Sequence, residues 1–346
     1  MRRYVAPTIA LALALAASGC GRAPEPVTVS RDALGTVVSI TAYGREGASP
    51  AAGIETAFEV MAGVERQLDA HSPTSAVAAF NRGPYLEQPL PGATVAVLDA
   101  VRGLGVSREY SPALLGVLRL YDFEGAGRVP SQAEVETQIS LARGFHTHTD
   151  TDGPVVRAHF AGLPNAYPPP PPGLDLGGAA KGLALSEARL ALDDAASAAL
   201  ITAGSTTLTF GSKPDGEPWR IGIEDPREPG EVIATVESTG EVTVSTSGDY
   251  QRYFERDGVR YHHIIDPRTG RPAQGLRSLT VAGAASGLDS DILSTALFVM
   301  GAEKASAYCR AHGLGLYAVD DRGRTHVVPA PSNAGWRLVE QAQPKK

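Results

Sequence analysis

The sequence predicts an α+β fold: a single large domain with a largely antiparallel sheet and flanking helices. Two observations predict it. Amphipathic helical stretches are interspersed with short alternating, hairpin-like stretches. No composition break is strong enough to divide the folded part, and no internal repeat is visible. At 346 residues, 43% hydrophobic and 20% charged, the chain has ordinary globular composition and length for a sizeable core.

The first residues read differently. Arg2 and Arg3 precede an apolar run, Val5 to Ala17, that is short for a bilayer span, and it ends in Ala17-Ser18-Gly19-Cys20. This is the pattern of a secretory signal over residues 1–19 closing on a lipobox-like sequence, with Cys20 as the lipidated first residue of the mature chain. A plain signal peptide cut nearby, or a weak membrane anchor, is the alternative. The small, Pro-rich residues after Cys20 make 20–30 a tether, leaving 31–340 as the folded domain. The expected location is a bacterial membrane, reached by a lipid anchor, with the folded body outside the cytoplasm. The other cysteine, Cys309, then lacks a disulfide partner and reads as a small buried hydrophobe. Losing residues 1–19 removes two arginines and takes the net charge from −7 to −9. An acidic body argues against a nucleic-acid partner, because phosphate backbones need a basic face.

Along the chain, Thr36–Ala42 alternates and predicts the first strand. Ile54, Phe58, Met61, Val64 and Leu68 fall at helical spacing and predict a helix over Ala51–Leu68. Further helices are predicted over Ala93–Leu104, Pro112–Leu120 and Ser131–Arg143. In Phe145–Asp150, His146, His148 and Asp150 recur every second residue, with Asp152 two further on. That spacing reads as the exposed face of a strand entering an Asp152-Gly153 turn rather than as a metal site. Five prolines, Pro168–Pro172, make Tyr167–Gly173 a stiff connector. A helix over Ala180–Ala196 follows, then a strand-rich half. There Trp219, Ile221 and Ile223 alternate with polar residues or glycine, and Val232–Val236 and Val242–Val244 flank a Ser238-Thr239-Gly240 turn that predicts a hairpin. The last clear helix is predicted from Ser290, as its N-cap, through Met300.

Three segments carry chemistry. In Asp175–Gly182 (DLGGAAKG), paired glycines allow close backbone approach to a ligand. The following helix opens free amides toward the turn, and Lys181 adds a mobile cation suited to phosphate. A simple capped loop with a surface lysine explains the same residues. In Ser290–Gly301, Asp291 and Thr295 are four apart and share a helix face as hard oxygen donors suited to Mg²⁺. A plain capped helix is the alternative there. In His262–Gly270 (HHIIDPRTG), the Asp266-Pro267 turn puts His263 on the strand leading in, where its ring can face a pocket as a general base; Asp266 and Arg268 merely pinning the turn beside an exposed histidine is the alternative.

DLGGAAKG, TSGDYQRYF (Thr246–Phe254), HHIIDPRTGRPA and SDILSTALFVMG, preceded by LGTVVSI (Leu34–Ile40), closely resemble the ApbE family of FAD:protein FMN transferases. The resemblance runs from Leu34 to the end of the last helix. It implies an ApbE-like, T-fold-like domain that binds FAD with Mg²⁺ and moves the FMN half to a threonine or serine hydroxyl, releasing AMP. The implied partner is an acceptor flavoprotein subunit of a membrane redox complex. It further implies that Asp175 and Lys181 contact FAD, that the Gly178 carbonyl joins Asp291 and Thr295 around the metal, that His263 is the base, and that Ile265 lies against the nucleotide. Leu34 stands where the family usually has methionine, and His71 where it commonly has an aromatic ring. Where the family usually reads S-G-A-F-D-P-T, this chain has Ser107-Arg108-Glu109-Tyr110-Ser111-Pro112-Ala113, so Glu109, Tyr110 and Ser111 make altered contacts near FAD. These departures keep two alternatives in view: a Mg²⁺-dependent FAD pyrophosphatase and a non-catalytic flavin-binding lipoprotein. Pro91-Gly92-Ala93-Thr94 is similar to an acceptor motif for such enzymes, but its proline and Thr94 fit a helix start instead.

Overall fold

The computed structural model describes residues 25–151, 153–162 and 170–341; Cys20, the signal segment and Asp152 lie outside them. Among the described residues no helix is long and apolar enough to cross a membrane. The fold is α+β. Its spine is an eight-stranded sheet in the order Val27–Ala33, Thr36–Gly44, Ala196–Ala203, Thr206–Phe210, Val242–Gly248, Leu276–Ala282, Gly315–Asp320 and Thr325–Val328. Every pairing is antiparallel. The order in space follows the order in sequence, so the rest of the chain is inserted between neighbouring strands.

One face of this sheet is covered by helices, chiefly Pro50–Leu68, Gly177–Ala191 and Gly287–Met300. The Gly177–Ala191 and Gly287–Met300 helices touch backbone to backbone: a Cβ on Gly182 would stand 2.1 Å from the Gly287 carbonyl oxygen, and one on Gly287 2.5 Å from that of Gly182. No other residue permits this approach. The opposite face is covered by a three-stranded sheet, Trp336–Glu340, Val232–Ser238 and Trp219–Glu224, through Ile221, Ile223, Val236, Val242, Val244 and Val319. A third cluster, with Val117, Tyr121, Val135, Ile139 and Ile265 in its centre, fills a flank built from the Leu115–Tyr121 and Gln132–Arg143 helices.

Most predicted elements appear with shifted ends. Helices form over Pro50–Leu68, Gly92–Gly103 and Gln132–Arg143, the last behind a Ser131/Glu134 capping box. Pro112–Leu120 becomes a 3₁₀ turn, Pro112–Leu114, running into the Leu115–Tyr121 helix. Phe145–Thr149 and Val156–Phe160 pair as an antiparallel hairpin with His146 and His148 exposed, and Arg157 holds Asp150 with two 3.0 Å bonds. Trp219–Glu224 alternates buried and exposed as its sequence requires. Cys309 is fully buried, and burial pushes its thiol up to about 12. Thr94 is fully buried in the first turn of its helix.

Five expectations are corrected. The Ser238-Thr239-Gly240 turn closes no hairpin. Val232–Ser238 is paired on both edges within the small sheet, and Val242–Gly248 on both edges within the large one, so neither has an edge free for the other. The turn is a corner between layers, held by a 3.1 Å bond from the Thr239 amide to the Gly335 carbonyl. The helix predicted over Ala180–Ala196 spans Gly177–Ala191, because Asp175 already receives the Gly177 amide at 2.8 Å and Ala196 opens a strand. The last predicted helix begins a turn early, at Gly287, with Ser286 as N-cap; Ser290 is buried inside it. It is also not the final helix, since Ala302–His312 follows. Finally, Val27–Ala33 is a paired edge strand that starts within the stretch read as tether, because Val27 and Val29 pack on the core.

Candidate active site

A cavity of about 990 Å³ lies beside the place where the two contacting helices meet the central strands, within the range of cavities that take cofactor-sized ligands, roughly 300–1,000 Å³. Every site residue predicted for the folded part lines it: Leu34, His71, Glu109, Tyr110, Ser111, Asp175, Gly178, Lys181, His263, Ile265, Asp291 and Thr295.

The inner end is built around one carboxylate. Asp291 sits in the second turn of its helix, almost wholly buried, and accepts from the Gly182 amide (3.0 Å), the Thr206 hydroxyl (3.0 Å) and the Ser245 hydroxyl (3.2 Å). The Lys181 ammonium stands 3.8 Å away and also donates to the Gly177 carbonyl at 3.4 Å. One turn on, the Thr295 hydroxyl faces the same space, 3.3 Å from Ser247 Oγ. Gly178, in the first turn of the facing helix, closes the group: a Cβ there would come within 3.4 Å of Thr295 Oγ1 and 3.1 Å of Tyr110 Cε2.

A carboxylate, a hydroxyl and a main-chain carbonyl, with further hydroxyls behind, are the donor chemistry of a hard divalent cation. Glycine at position 178 keeps open the space between Tyr110 and Thr295 that a side chain would fill. Among the described residues no cluster of three or more His, Cys, Asp or Glu forms a metal site, so a cation here relies on neutral oxygens beside a single carboxylate.

His263 follows the Val259–His262 strand. Its main-chain amide (3.1 Å) and its Nδ1 (3.2 Å) both meet the Arg252 carbonyl. A carbonyl only accepts, so Nδ1 carries the proton and Nε2 keeps its lone pair. Burial and the Arg252 guanidinium push the ring's pKa down to about 3, which keeps it neutral. Its neighbour His262 points the other way, into the core, with Nε2 2.9 Å from the Ala273 carbonyl and the ring edge-on to Phe298. Only one of the two histidines serves the cavity. Tyr110 is buried, and burial, with Asp291 and Asp175 next, holds its phenol protonated well above the usual range.

The rim is ionic. Glu124 lies 3.6 Å from His71 Nδ1 and 3.5 Å from Arg252, while His71 Nε2 is 4.0 Å from Asp175. Glu124 and Arg252 went unnamed in the sequence reading. Arg252 falls inside TSGDYQRYF, a signal already in hand, whereas Glu124 sits in a loop with no motif. Leu34 occupies a left-handed turn (φ 55°), and its amide donates to Glu65 at 3.0 Å. A branched residue there stores strain of roughly 1–2 kcal/mol, and it directs the side chain at the cavity.

The chain matches the model of the ApbE family over residues 34–319. It is 30% identical to the FAD:protein FMN transferase of Vibrio cholerae, covering 88% of this chain and 90% of that one. It is 32% identical to that of Treponema pallidum, covering 80% and 79%. Among solved structures it resembles the ApbE protein of Thermotoga maritima, with a TM-score of 0.76 at 31% identity over 88% of this chain and 97% of that one.

Proposed function

The chain belongs to the ApbE family, and from that premise we propose that it transfers the FMN half of FAD to a threonine or serine hydroxyl of an acceptor protein, releasing AMP. One observation carries this reading. Asp291, Thr295, Gly178, Lys181 and a neutral His263 converge on a single cavity from segments far apart in sequence.

The reaction is an exchange at phosphorus. A bond forms from the acceptor's hydroxyl oxygen to the FMN phosphorus, giving a phosphodiester. The bond from that phosphorus to the bridging oxygen breaks, and AMP departs with the electron pair. Nε2 of His263 receives the hydroxyl proton, a contribution of roughly 10²–10⁴-fold in general-base catalysis. Asp291, Thr295 and the Gly178 carbonyl are the residues to hold Mg²⁺, which when bound neutralises charge on the diphosphate. Lys181 and the positive end of the Gly177–Ala191 helix dipole add fixed positive character beside it. Tyr110 walls the space beside Gly178. Leu34, His71, Glu109, Ser111, Asp175 and Ile265 are left to fix the nucleotide.

The test is mass spectrometry of a candidate acceptor, a flavoprotein subunit of a membrane redox complex, after incubation with enzyme, FAD and Mg²⁺. The expected result is one covalent FMN per acceptor and one AMP released for each. AMP release at the same rate without acceptor makes water the acceptor and the protein a pyrophosphatase. FAD retained intact with metal and acceptor present makes it a binding protein. The signal pattern ending at Cys20 supports lipid anchoring with the catalytic domain outside the cytoplasm. On that reading a Cys20→Ala variant leaves the membrane fraction; equal membrane recovery of variant and parent overturns it.

A further inference from the structure

A smaller cavity of about 270 Å³ opens beside the first. Three arginines, Arg108, Arg143 and Arg268, and two serines, Ser107 and Ser111, line it, and Ser111 and Leu114 line both cavities. Arg268 is held by Asp266 through two 2.8 Å bonds, so that pair is neutral in sum. Arg143 donates to the Arg268 carbonyl at 3.2 Å, and among the described residues neither Arg143 nor Arg108 has a carboxylate partner. The Glu109 carboxylate, whose charge Arg268 feels, lines the larger cavity instead. On a chain of net charge −7, two unneutralised guanidinium groups thus face one concavity.

We propose that this pocket is an acceptor subsite that takes a carboxylate side chain of the acceptor polypeptide near the hydroxyl to be modified. The proposal rests on the transferase reading, because only that reaction brings a polypeptide hydroxyl to His263. His263 and Arg268 are five residues apart, so their Cα atoms are at most about 18 Å apart, a span that an extended acceptor segment covers in roughly five residues or fewer. On the transferase reading the diphosphate of FAD falls to Lys181 and to the cation that the oxygen cluster would hold, which leaves the arginines for an anion from another molecule. Guanidinium forks recognise carboxylates in paired geometry, and Ser107 adds a donor. A membrane surface is flat and does not enter such a concavity.

The test uses the full chain loaded with FAD in the presence of chelator, so that nothing turns over. Binding is followed by the fluorescence anisotropy of two labelled peptides: one carries a threonine with a glutamate three to five residues away, and the other is its glutamine twin. The glutamate peptide is expected to bind roughly fivefold tighter, with the preference shrinking as salt rises. Arg108→Gln and Arg143→Gln should each abolish the preference while FAD binding, read by flavin fluorescence, stays unchanged. Equal affinities, no binding of either peptide, or a preference that survives both variants overturns the proposal. Loss in Arg108→Gln of binding to phosphatidylglycerol vesicles, with no peptide discrimination, assigns the pocket to a lipid headgroup and likewise overturns it. Failure of the parent protein to take up FAD even with Mg²⁺ supplied instead removes the transferase reading, an outcome the peptide comparison does not mimic.

Discussion

The inner end and the rim of the large cavity are built on opposite principles. Inside, the Asp291 side chain is 5% exposed and held by an amide and two hydroxyls from three rigid elements. At the rim, His71, Glu124 and Arg252 are 54%, 59% and 46% exposed and meet only across 3.5 Å or more. Neutral donors in a buried network hold their geometry without competing for a ligand's charge. Exposed ion pairs contribute about 0–1 kcal/mol and rearrange readily. The inner end is suited to chemistry and the rim to admitting and choosing what reacts.

The largest break in that contrast comes from Asp291→Ala. It leaves three buried donors facing nothing and removes the one anionic ligand, and we expect Mg²⁺-dependent AMP release to fall on the order of 10³-fold. Turnover within tenfold of the parent at saturating Mg²⁺ would dismiss the carboxylate from the cation site. His263→Gln should cost about 10²-fold in the rate of transfer. Because the parent ring stays neutral down to about pH 3, the parent's kcat/KM should show no acid limb from this group above pH 5. A limb near pH 6.5 that disappears in the variant would contradict that.

The adjacent His262 tests the same contrast through stability. Burial lowers its pKa to about 4, against about 6.5 when unfolded. Between those values the unfolded chain takes up a proton that the folded chain refuses, so stability falls as pH drops. The loss is about 2 kcal/mol from pH 6.5 to pH 5. Urea denaturation should show a flatter pH dependence for His262→Gln, whose amide can still donate to the Ala273 carbonyl; parallel curves would refute the assignment. Smallest is Glu124→Gln at the rim. It should shift the KM for FAD by no more than about fivefold with kcat unchanged, and a kcat loss approaching that of Asp291→Ala would erase the distinction between rim and interior.

The same division governs what was legible in the sequence. Asp291 and Thr295 are one helical turn apart, and Gly178 and Lys181 share a turn, so local spacing alone put each pair on one face. The rim was not legible as a unit, because His71, Glu124 and Arg252 come from three loops that only the tertiary structure brings together. Of the two serines four residues apart, Ser286 rather than Ser290 caps the last predicted helix, and the extra turn is what places Gly287 against Gly182. The false hairpin at Ser238–Gly240 had a correct turn signal. What it lacked was any sign that both flanking strands already had neighbours on each edge.

The touching glycines have one more consequence, for ion choice. The helices bearing Asp291 and Gly178 are already at backbone contact through Gly182 and Gly287, so the gap between the proposed cation donors is set by hard cores rather than by side-chain reach. Calcium needs oxygen distances roughly 0.3–0.5 Å longer than magnesium, an expansion a fixed helical vice resists. Calcium should therefore be a poor competitor that supports no turnover, and full activity with calcium alone would show that the vice yields.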